Sequence, residues 1–284
     1  MSPIQPVYLW RKGNPVEWAL AFLDCFFRYD PGDDVRLLII LKGFDKTERP
    51  RVFKLLKPTV VDRLDLFHTT DEGLDLTAYR KVCAADPQKN YLFFNSHSRI
   101  IAPNWFECYE KAWAEIGSDG LIGASGSYEA PDFSGKQFPN PHIRTNAFLI
   151  SGKDYLEAAH FSLATKADCH RLEAGADSMT NFFVAQNKPA LVMDADGKLF
   201  ASDDWPKSAT FRLEHQQKLI VHDNRSAKYH HGVSRRRLLH AKASWGNDVR
   251  PPKLGLGQTV VRYFWAIWFY HGYRLPYFAR SIMR

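Results

Sequence analysis

Cysteine is scarce in this sequence, and the motifs of several large enzyme classes are missing from it. The 284 residues contain four cysteines, which are widely spaced and form no CxxC pair. This spacing excludes a zinc ribbon or knuckle and gives no sign of a disulfide framework. The sequence also has no GxSxG, no GxxxxGKS/T and no GxGxxG after a strand. Serine hydrolases of the GxSxG type, P-loop proteins and dinucleotide-binding proteins are therefore excluded.

Long apolar runs are absent as well. The longest aromatic and apolar run, YFWAIWFY at residues 263–270, is far shorter than the roughly 20 residues that span a bilayer as a helix. The first eight residues lack the charged region, apolar core and small-residue cleavage site of a secretory signal peptide. We therefore expect a cytoplasmic protein that does not cross a membrane.

Acidic residues almost disappear near the C-terminus. Residues 225–284 contain 12 Lys and Arg but only one acidic residue, Asp248, whereas residues 1–224 contain 26 Lys and Arg and 30 acidic residues. This asymmetry predicts a mildly acidic body over residues 1–224 and a basic, aromatic extension over residues 225–284.

The extension combines arginines with the aromatic run at 263–270 and is expected to be helical from about residue 258. Trp and Tyr favour membrane interfaces, and basic clusters are attracted to anionic lipids. We expect the extension to contact an anionic membrane surface. The alternative is packing against the body or a dimer partner. Nucleic-acid binding is not expected, because no recognised nucleic-acid-binding module surrounds these residues.

Within the body, short apolar runs alternate with segments of helical periodicity. This order predicts an α/β fold with a mostly parallel central sheet and helices on both faces. In such sheets, ligands bind beyond the carboxyl ends of the strands. The predicted strands are residues 6–10, 35–41, 63–67 and 91–94, and the predicted helices between them are residues 16–29, 49–57 and 75–85.

The stretch from residue 71 to residue 105 carries the most information about function. Its order is a Glu72-Gly73 turn, a helix, the strand YLFF, the segment NSHS at 95–98 and a Pro-Asn-Trp turn at 103–105. This order resembles the donor-binding half of GT-A glycosyltransferases, especially family-2-like bacterial enzymes that build surface polysaccharides. The resemblance continues more weakly over residues 6–225. It implies a GT-A-like, Rossmann-like fold and a nucleotide-sugar donor.

The resemblance also implies a donor site at the end of the strand YLFF, where the family has an Asp-x-Asp-type motif. This sequence has Asn95, Ser96 and His97 there. Carboxylates at this position normally hold Mg²⁺ or Mn²⁺, which prefer oxygen ligands. Three alternatives stay open: His97 binds an ion such as Mn²⁺, the three residues contact sugar and diphosphate directly, or catalysis needs no metal. Further candidate metal or diphosphate ligands are His222 and Asp223. Taken alone, NSHS is typical of a polar turn that caps a helix.

Asp75 and Tyr79 are four residues apart and therefore share one face of the predicted helix 75–85. By resemblance this helix faces the base and ribose of the donor. Tyr79 would then stack on or hydrogen-bond to the nucleotide, and Asp75 would accept a hydrogen bond from a hydroxyl group. The alternative is an acidic residue that stabilises the helix N-terminus and a half-buried tyrosine.

The segment HIRTNAFLI at residues 142–150 is predicted to be one strand. His142, Arg144 and Asn146 alternate along it and would project from one face, where they must meet water, one another or a ligand. We expect them to bind the acceptor or the diphosphate, because the planar fork of an arginine suits an anionic group. The alternative is a solvated edge strand.

An inverting transfer needs a general base to remove the proton of the acceptor hydroxyl. Related enzymes often provide it just before the helix that follows the acceptor segment, which corresponds here to residues 171–178. Glu173 and Asp177 are the candidates, although the usual Glu-Asp pair is not intact. Asp177 is also placed to cap a helix over 178–186, so Glu173 is preferred as the base.

The resemblance implies a glycosyltransferase that moves a sugar from a nucleotide sugar to a glycan or lipid-linked glycan. The resemblance places this reaction in the assembly of surface polysaccharide, lipopolysaccharide or capsule, at the inner face of the membrane. The alternative is a non-catalytic relative that binds a glycan or a nucleotide.

Overall fold

The computed structural model describes residues 3–130, 135–255, 257 and 282. The strands in these residues are β1 (Ile4–Arg11), β2 (Leu37–Lys42), β3 (Leu64–Thr69), β4 (Asn90–Phe94), β5 (Arg99–Ile100), β6 (Leu121–Gly123), β7 (Gly126–Ser127), β8 (His142–Ile143), β9 (Ala147–Ser151), β10 (Ala190–Met193), β11 (Leu199–Phe200) and β12 (Val221–His222). The helices are α1 (Val16–Arg28), α2 (Pro58–Val61), α3 (Asp75–Ala85), α4 (Trp105–Glu115), α5 (Gly152–Ala158), α6 (Lys166–Ala174), α7 (Met179–Ala185), α8 (Asn224–His230) and α9 (Ser234–Trp245). Short 3-10 helices occur at Arg51–Leu55 and Ser202–Lys207.

Eight strands form the central sheet, in the order β11-β10-β6-β9-β4-β1-β2-β3. The pairs β1–β2, β2–β3 and β1–β4 are parallel, which gives the order 3-2-1-4 that begins Rossmann-type sheets. β9 lies between β4 and β6 and is antiparallel to both. The predicted α/β fold with a mostly parallel central sheet is therefore confirmed.

The sheet is covered on both faces. Alternate residues of a strand point to opposite faces, so Tyr8 and Trp10 of β1 join one core cluster while Val7 and Leu9 join the other. The first cluster contains the apolar residues of α1 and α4, and the second contains those of α3, α5 and α7. All five residues of β4 are buried, as expected for a central strand between two layers of helices.

The predicted single strand over residues 142–150 is wrong, because the chain breaks it at residues 144–146. β8 pairs with β7 outside the central sheet, whereas β9 joins the central sheet. Backbone hydrogen bonds from Arg144 N to Ser125 O (3.0 Å) and from Asn95 N to Asn146 O (3.1 Å) fix the break. The alternative of a solvated edge strand is also wrong, because His142, Arg144 and Asn146 are all buried.

Helices α8 and α9 pack against the body. Trp245 is buried in the second core cluster, and its Nε1 donates a hydrogen bond to Phe211 O (2.8 Å). The predicted division at residue 224 follows charge and stays a prediction, and the aromatic run at 263–270 lies outside the described residues. In the part of the chain that the structure describes, no helix is long and apolar enough to cross a membrane.

Candidate active site

The segment after β4 forms a tight turn at the carboxyl edge of the sheet. The side-chain oxygen Oδ1 of Asn95 accepts hydrogen bonds from His97 N (2.9 Å) and from Ser98 Oγ (3.1 Å). Ser98 Oγ is also 2.6 Å from Asn146 O, which ties the turn to the start of β9. The amide oxygen of Asn95 is therefore used to shape the turn, as the polar-turn alternative predicts. The predicted cap is wrong, because β5 follows the turn and the N-cap of α4 is Asn104.

The turn is fastened to β1, the neighbouring strand. Ser96 Oγ donates to Leu9 O (2.9 Å), and the hydroxyl of Tyr8 donates to Ser96 O (3.1 Å). Ser96 is buried, so it holds the loop in place. His97 is half-buried, and its ring centroid lies 4.2 Å from that of Trp18, in the first turn of α1.

His97 lies among charged groups of β5 and α8. Burial lowers its pKa; the negative charge of Asp223 opposes this shift, and the positive charges of Arg99 and Lys228 add to it. The imidazole is therefore neutral at neutral pH and can donate or accept one hydrogen bond. Among the residues predicted to bind the nucleotide-sugar donor, His97 has a ring that is only partly buried.

The structure separates the two candidates on α3. Tyr79 is fully buried, with its ring stacked on Phe93 at 4.3 Å, so it presents no face to a nucleotide. Asp75 is the first residue of the helix and is only half-buried. Burial raises the pKa of Asp75 to about 6, and repulsion by the Glu173 carboxylate adds to the shift. Asp75 and Glu173 therefore lie close enough for their charges to interact.

Glu173, near the end of α6, is held by the break between β8 and β9. Its Oε1 accepts two hydrogen bonds from Thr145, one from the backbone N and one from Oγ1, each 3.1 Å long. Its Oε2 lies 3.9 Å from His170 Nδ1, and 23% of the side chain is exposed. Oε1 is thus fixed, whereas the nearest charged partner of Oε2 among the described residues is the more distant His170.

Electrostatics favour the ionised form of Glu173. Burial on its own would raise the pKa, but interaction with His142, the hydrogen bond from Thr145 N and the charges of Arg144 and Arg225 lower it below its usual range. Glu173 is therefore a carboxylate at neutral pH, as a general base must be before it accepts a proton.

Asp177 lies apart from this group. Its exposed carboxylate pairs with Arg171 at 2.6 Å. The predicted cap role is wrong, because the N-cap of α7 is Ser178, whose Oγ accepts from Asn181 N (3.2 Å).

The segment 142–146 forms the buried wall beside Glu173. His142 Nδ1 is bonded to Asn140 O (2.9 Å), and the Arg144 guanidinium forms a buried ion pair with Asp223 (2.5 Å). Arg144 also lies 3.7 Å from the centroid of the Phe211 ring. Asn146 Oδ1 accepts from Ser125 Oγ (2.8 Å). The structure therefore brings His142, Arg144, Asp223 and Glu173 together, which the sequence placed in three separate segments.

Sequence reasoning missed three charged residues of the same wall. Glu129 pairs with Arg212 at 2.8 Å and with Arg225 at 3.4 Å, across 83 and 96 residues of chain. Burial raises the pKa of Glu129, but the two arginines reverse the shift and lower it overall. The only sequence signal was the position of Arg225 at the start of the basic extension.

Asp223, one of the three predicted metal ligands, is already bonded to other groups of the protein, whereas His97 and His222 stay predictions. Asp223 Oδ2 accepts from Arg144, and its Oδ1 accepts from Ser226 N (2.7 Å) as the cap of α8. Burial lowers the pKa of His222 to about 4, so this ring is neutral at neutral pH, and its centroid lies 5.7 Å from that of the His230 ring. Among the residues described, no group of three His, Cys, Asp or Glu is arranged to hold a metal. Mg²⁺ and Mn²⁺ prefer oxygen ligands, and both oxygens of the Asp223 carboxylate already accept hydrogen bonds.

Asp75→Asn is expected to change how stability depends on pH. A carboxyl group with a raised pKa binds protons more tightly in the folded chain, so the free energy of unfolding falls as the pH rises from about 4 to about 6. The wild-type protein should lose on the order of 2 kcal/mol from this group, and Asp75→Asn should not. Urea unfolding across this pH range measures the difference. Asp33→Asn, at a fully exposed carboxylate, is the control; identical slopes for Asp75→Asn and wild type would contradict the burial of Asp75.

No family model and no curated protein matches this chain. Solved structures do match. The galactosyltransferase LgtC, bound to donor and acceptor sugar analogues, has a TM-score of 0.41 at 11% identity and covers 60% of this chain and 70% of its own. HddC from Yersinia pseudotuberculosis has a TM-score of 0.39 at 15% identity and covers 57% of this chain and 84% of its own. A Bacillus anthracis protein described as a glucose-1-phosphate thymidylyltransferase, bound to sucrose, has a TM-score of 0.45 at 9% identity and covers 88% of this chain and 100% of its own.

The chain is similar to these structures in fold. At identities of 9–15%, these likenesses concern the fold alone. The chemistry therefore stands on the residues of the site.

Proposed function

We propose that this protein is a nucleotide-sugar-dependent glycosyltransferase that inverts the anomeric centre, with Glu173 as its general base. The observation that carries the proposal is the state of Glu173. Its carboxylate is ionised, partly exposed, fixed through one oxygen by Thr145 and surrounded by His142 and Arg144. A preorganised carboxylate of this kind at a ligand-binding sheet edge suits proton removal from a hydroxyl group.

The proposed reaction is a single displacement. The acceptor hydroxyl oxygen attacks the anomeric carbon, and its proton passes to Glu173 Oε2. As the new carbon–oxygen bond forms, the bond from the anomeric carbon to the diphosphate oxygen breaks, and its electron pair leaves with the nucleoside diphosphate. The acceptor hydroxyl becomes strongly acidic only as this bond forms, so a carboxylate of low pKa can take the proton in the transition state.

Asp75 is proposed to bind hydroxyl groups of the substrate. It is half-buried, and its charge interacts with that of Glu173. Below its pKa it can donate a hydrogen bond to a sugar oxygen, and above it can accept one. Tyr79 has no part in this proposal, because it is enclosed in the core.

The acceptor is proposed to be a glycan or a lipid-linked glycan of surface polysaccharide, lipopolysaccharide or capsule. The basic, aromatic composition of residues 225–284 supports work at the inner face of a membrane, since Trp, Tyr and Arg suit an anionic interface. Co-sedimentation of the full chain with anionic and neutral vesicles checks this part of the proposal.

The proposed function predicts that the protein binds a nucleoside diphosphate and turns over the matching nucleotide sugar. Calorimetric titration with UDP, GDP, ADP and CDP is expected to find one ligand with a Kd in the range of about 1 μM to 1 mM, typical of enzyme substrates. Slow hydrolysis of the corresponding nucleotide sugar should then be measurable. Absence of binding by all four, with and without Mn²⁺, would refute the function.

A further inference from the structure

Helix α8 presents two cations on one face beside the candidate active site. Arg225 and Lys228 are three residues apart in this helix, a spacing that places both side chains on the same side. Both residues are exposed, with 47% of the Arg225 side chain accessible. They are therefore available to a ligand without unfolding of the wall behind them.

The position of α8 is fixed from both sides. β12 pairs with β5, with His222 opposite Arg99, so the chain enters α8 next to the turn that follows β4. Asp223 then caps α8 and forms the buried ion pair with Arg144. These links hold α8 beside the turn that follows β4.

The two cations reach towards different ends of the site. Arg225 lies 3.4 Å from Glu129 and is close enough to influence the Glu173 carboxylate. Lys228, together with Arg99, is close enough to influence the His97 ring at the end of β4. Arg99 lies opposite His222, which directly precedes the cap of α8. Arg225, Lys228 and Arg99 thus form a cationic strip between Glu129 and the strand end where a donor diphosphate is expected.

The strip has more positive than negative charge. Arg144 is matched by Asp223, and Arg212 by Glu129. For Arg99 and Lys228, no carboxylate of the described residues lies within ion-pair distance. Arg99 Nη1 donates to its neighbour Ser98 O (2.6 Å), and the Arg99 side chain also forms a hydrogen bond with the Tyr8 hydroxyl; both partners are uncharged. The unmatched positive charges of Arg99 and Lys228 lie near His97. An enzyme with the Asp-x-Asp-type motif would have negative charge at this strand end.

We infer that Arg99, Arg225 and Lys228 bind the diphosphate of the donor directly and stabilise its charge as it leaves, without a divalent ion. The inference rests on the proposed function. A nucleoside diphosphate gains negative charge as the glycosidic bond to it breaks, and positioned cations stabilise that charge. Arginine offers a planar pair of donors and lysine a compact charge, both of which suit phosphate oxygens.

Calorimetric titration of the full chain with the nucleoside diphosphate that it binds, and with inorganic pyrophosphate, tests the inference. Each titration is run in EDTA and in Mn²⁺. The expected Kd in EDTA is within about twofold of that in Mn²⁺. Arg225→Gln and Lys228→Gln should each weaken binding about tenfold, the effect of losing one charge-assisted hydrogen bond. Lys111→Gln, at an exposed lysine of α4 that pairs with Glu107, is the matched control and should bind like wild type.

The outcomes separate the inference from the proposed function. Binding that needs Mn²⁺, or wild-type binding by both Arg225→Gln and Lys228→Gln, would overturn the inference and leave the glycosyltransferase in place. If no nucleoside diphosphate binds in EDTA or in Mn²⁺, the proposed function fails and the inference fails with it. Thermal unfolding of each variant shows whether it is folded, and we expect wild-type stability because both side chains are exposed.

Discussion

Glu173→Gln is expected to lower kcat by about 10²- to 10⁴-fold while the Kd for the nucleoside diphosphate stays within about twofold of wild type. Glutamine retains an oxygen that can accept the two hydrogen bonds from Thr145, so the site should keep its shape. It cannot take a proton from the acceptor. Steady-state kinetics with the matching nucleotide sugar, alongside calorimetric binding, separates the two quantities.

Asp177→Asn is the matched control for this experiment. Asp177 is a second carboxylate of the same segment, but it is exposed and paired with Arg171. Its replacement should leave kcat near the wild-type value. If Asp177→Asn abolishes turnover and Glu173→Gln does not, Glu173 is not the base. If the wild-type protein binds the nucleotide but turns over no donor, the alternative of a non-catalytic binding protein replaces the enzyme.

Asp223→Ala is expected to lower the free energy of unfolding by about 3–5 kcal/mol, because it leaves the Arg144 guanidinium buried without its counter-ion. The same change removes the cap of α8. Urea unfolding at neutral pH measures the loss. Asp196→Ala, which breaks an exposed ion pair with Lys218, is the control and should cost less than about 1 kcal/mol.

The pair can be tested further by removing both charges. Arg144→Met combined with Asp223→Ala should destabilise the protein less than the sum of the two single changes, because neither charge is then left alone. Strict additivity of the two changes in the free energy of unfolding would contradict a coupled ion pair.

The stabilisation by this ion pair also depends on pH. Burial opposes the ionisation of Asp223, but Arg144 and Ser226 lower its pKa to about 2. The stabilisation is therefore present above about pH 4 and is lost as the pH falls towards 2.

Much of the fold could be predicted from local patterns. The helix predicted at 75–85 has the bounds that the structure shows for α3. The apolar run at 91–94 is β4, extended by Asn90. Helical and strand periodicity depends on neighbouring residues only, so it is visible in a single sequence. The strand order follows from the alternation of the elements, since successive parallel strands must be joined by crossovers.

The candidate site was less predictable, because its geometry depends on contacts between distant segments. The break between β8 and β9 is set by partners in residues 95 and 125, which no local pattern reveals. Glu129 lies in a loop and forms ion pairs with Arg212 and Arg225, and nothing in the local sequence of this loop predicts either pair. Tyr79 shares a helical face with Asp75, as predicted, but that face runs from the surface at Asp75 into the core at Tyr79.

The turn after β4 also indicates what an aspartate would do in place of Asn95. Asn95 accepts two hydrogen bonds through one oxygen, and aspartate has nearly the same shape. An aspartate at this position could keep both bonds through one carboxylate oxygen and offer the other to a cation. The turn would keep its shape, so a single Asn95→Asp replacement would add a carboxylate oxygen at the strand end without a change of fold.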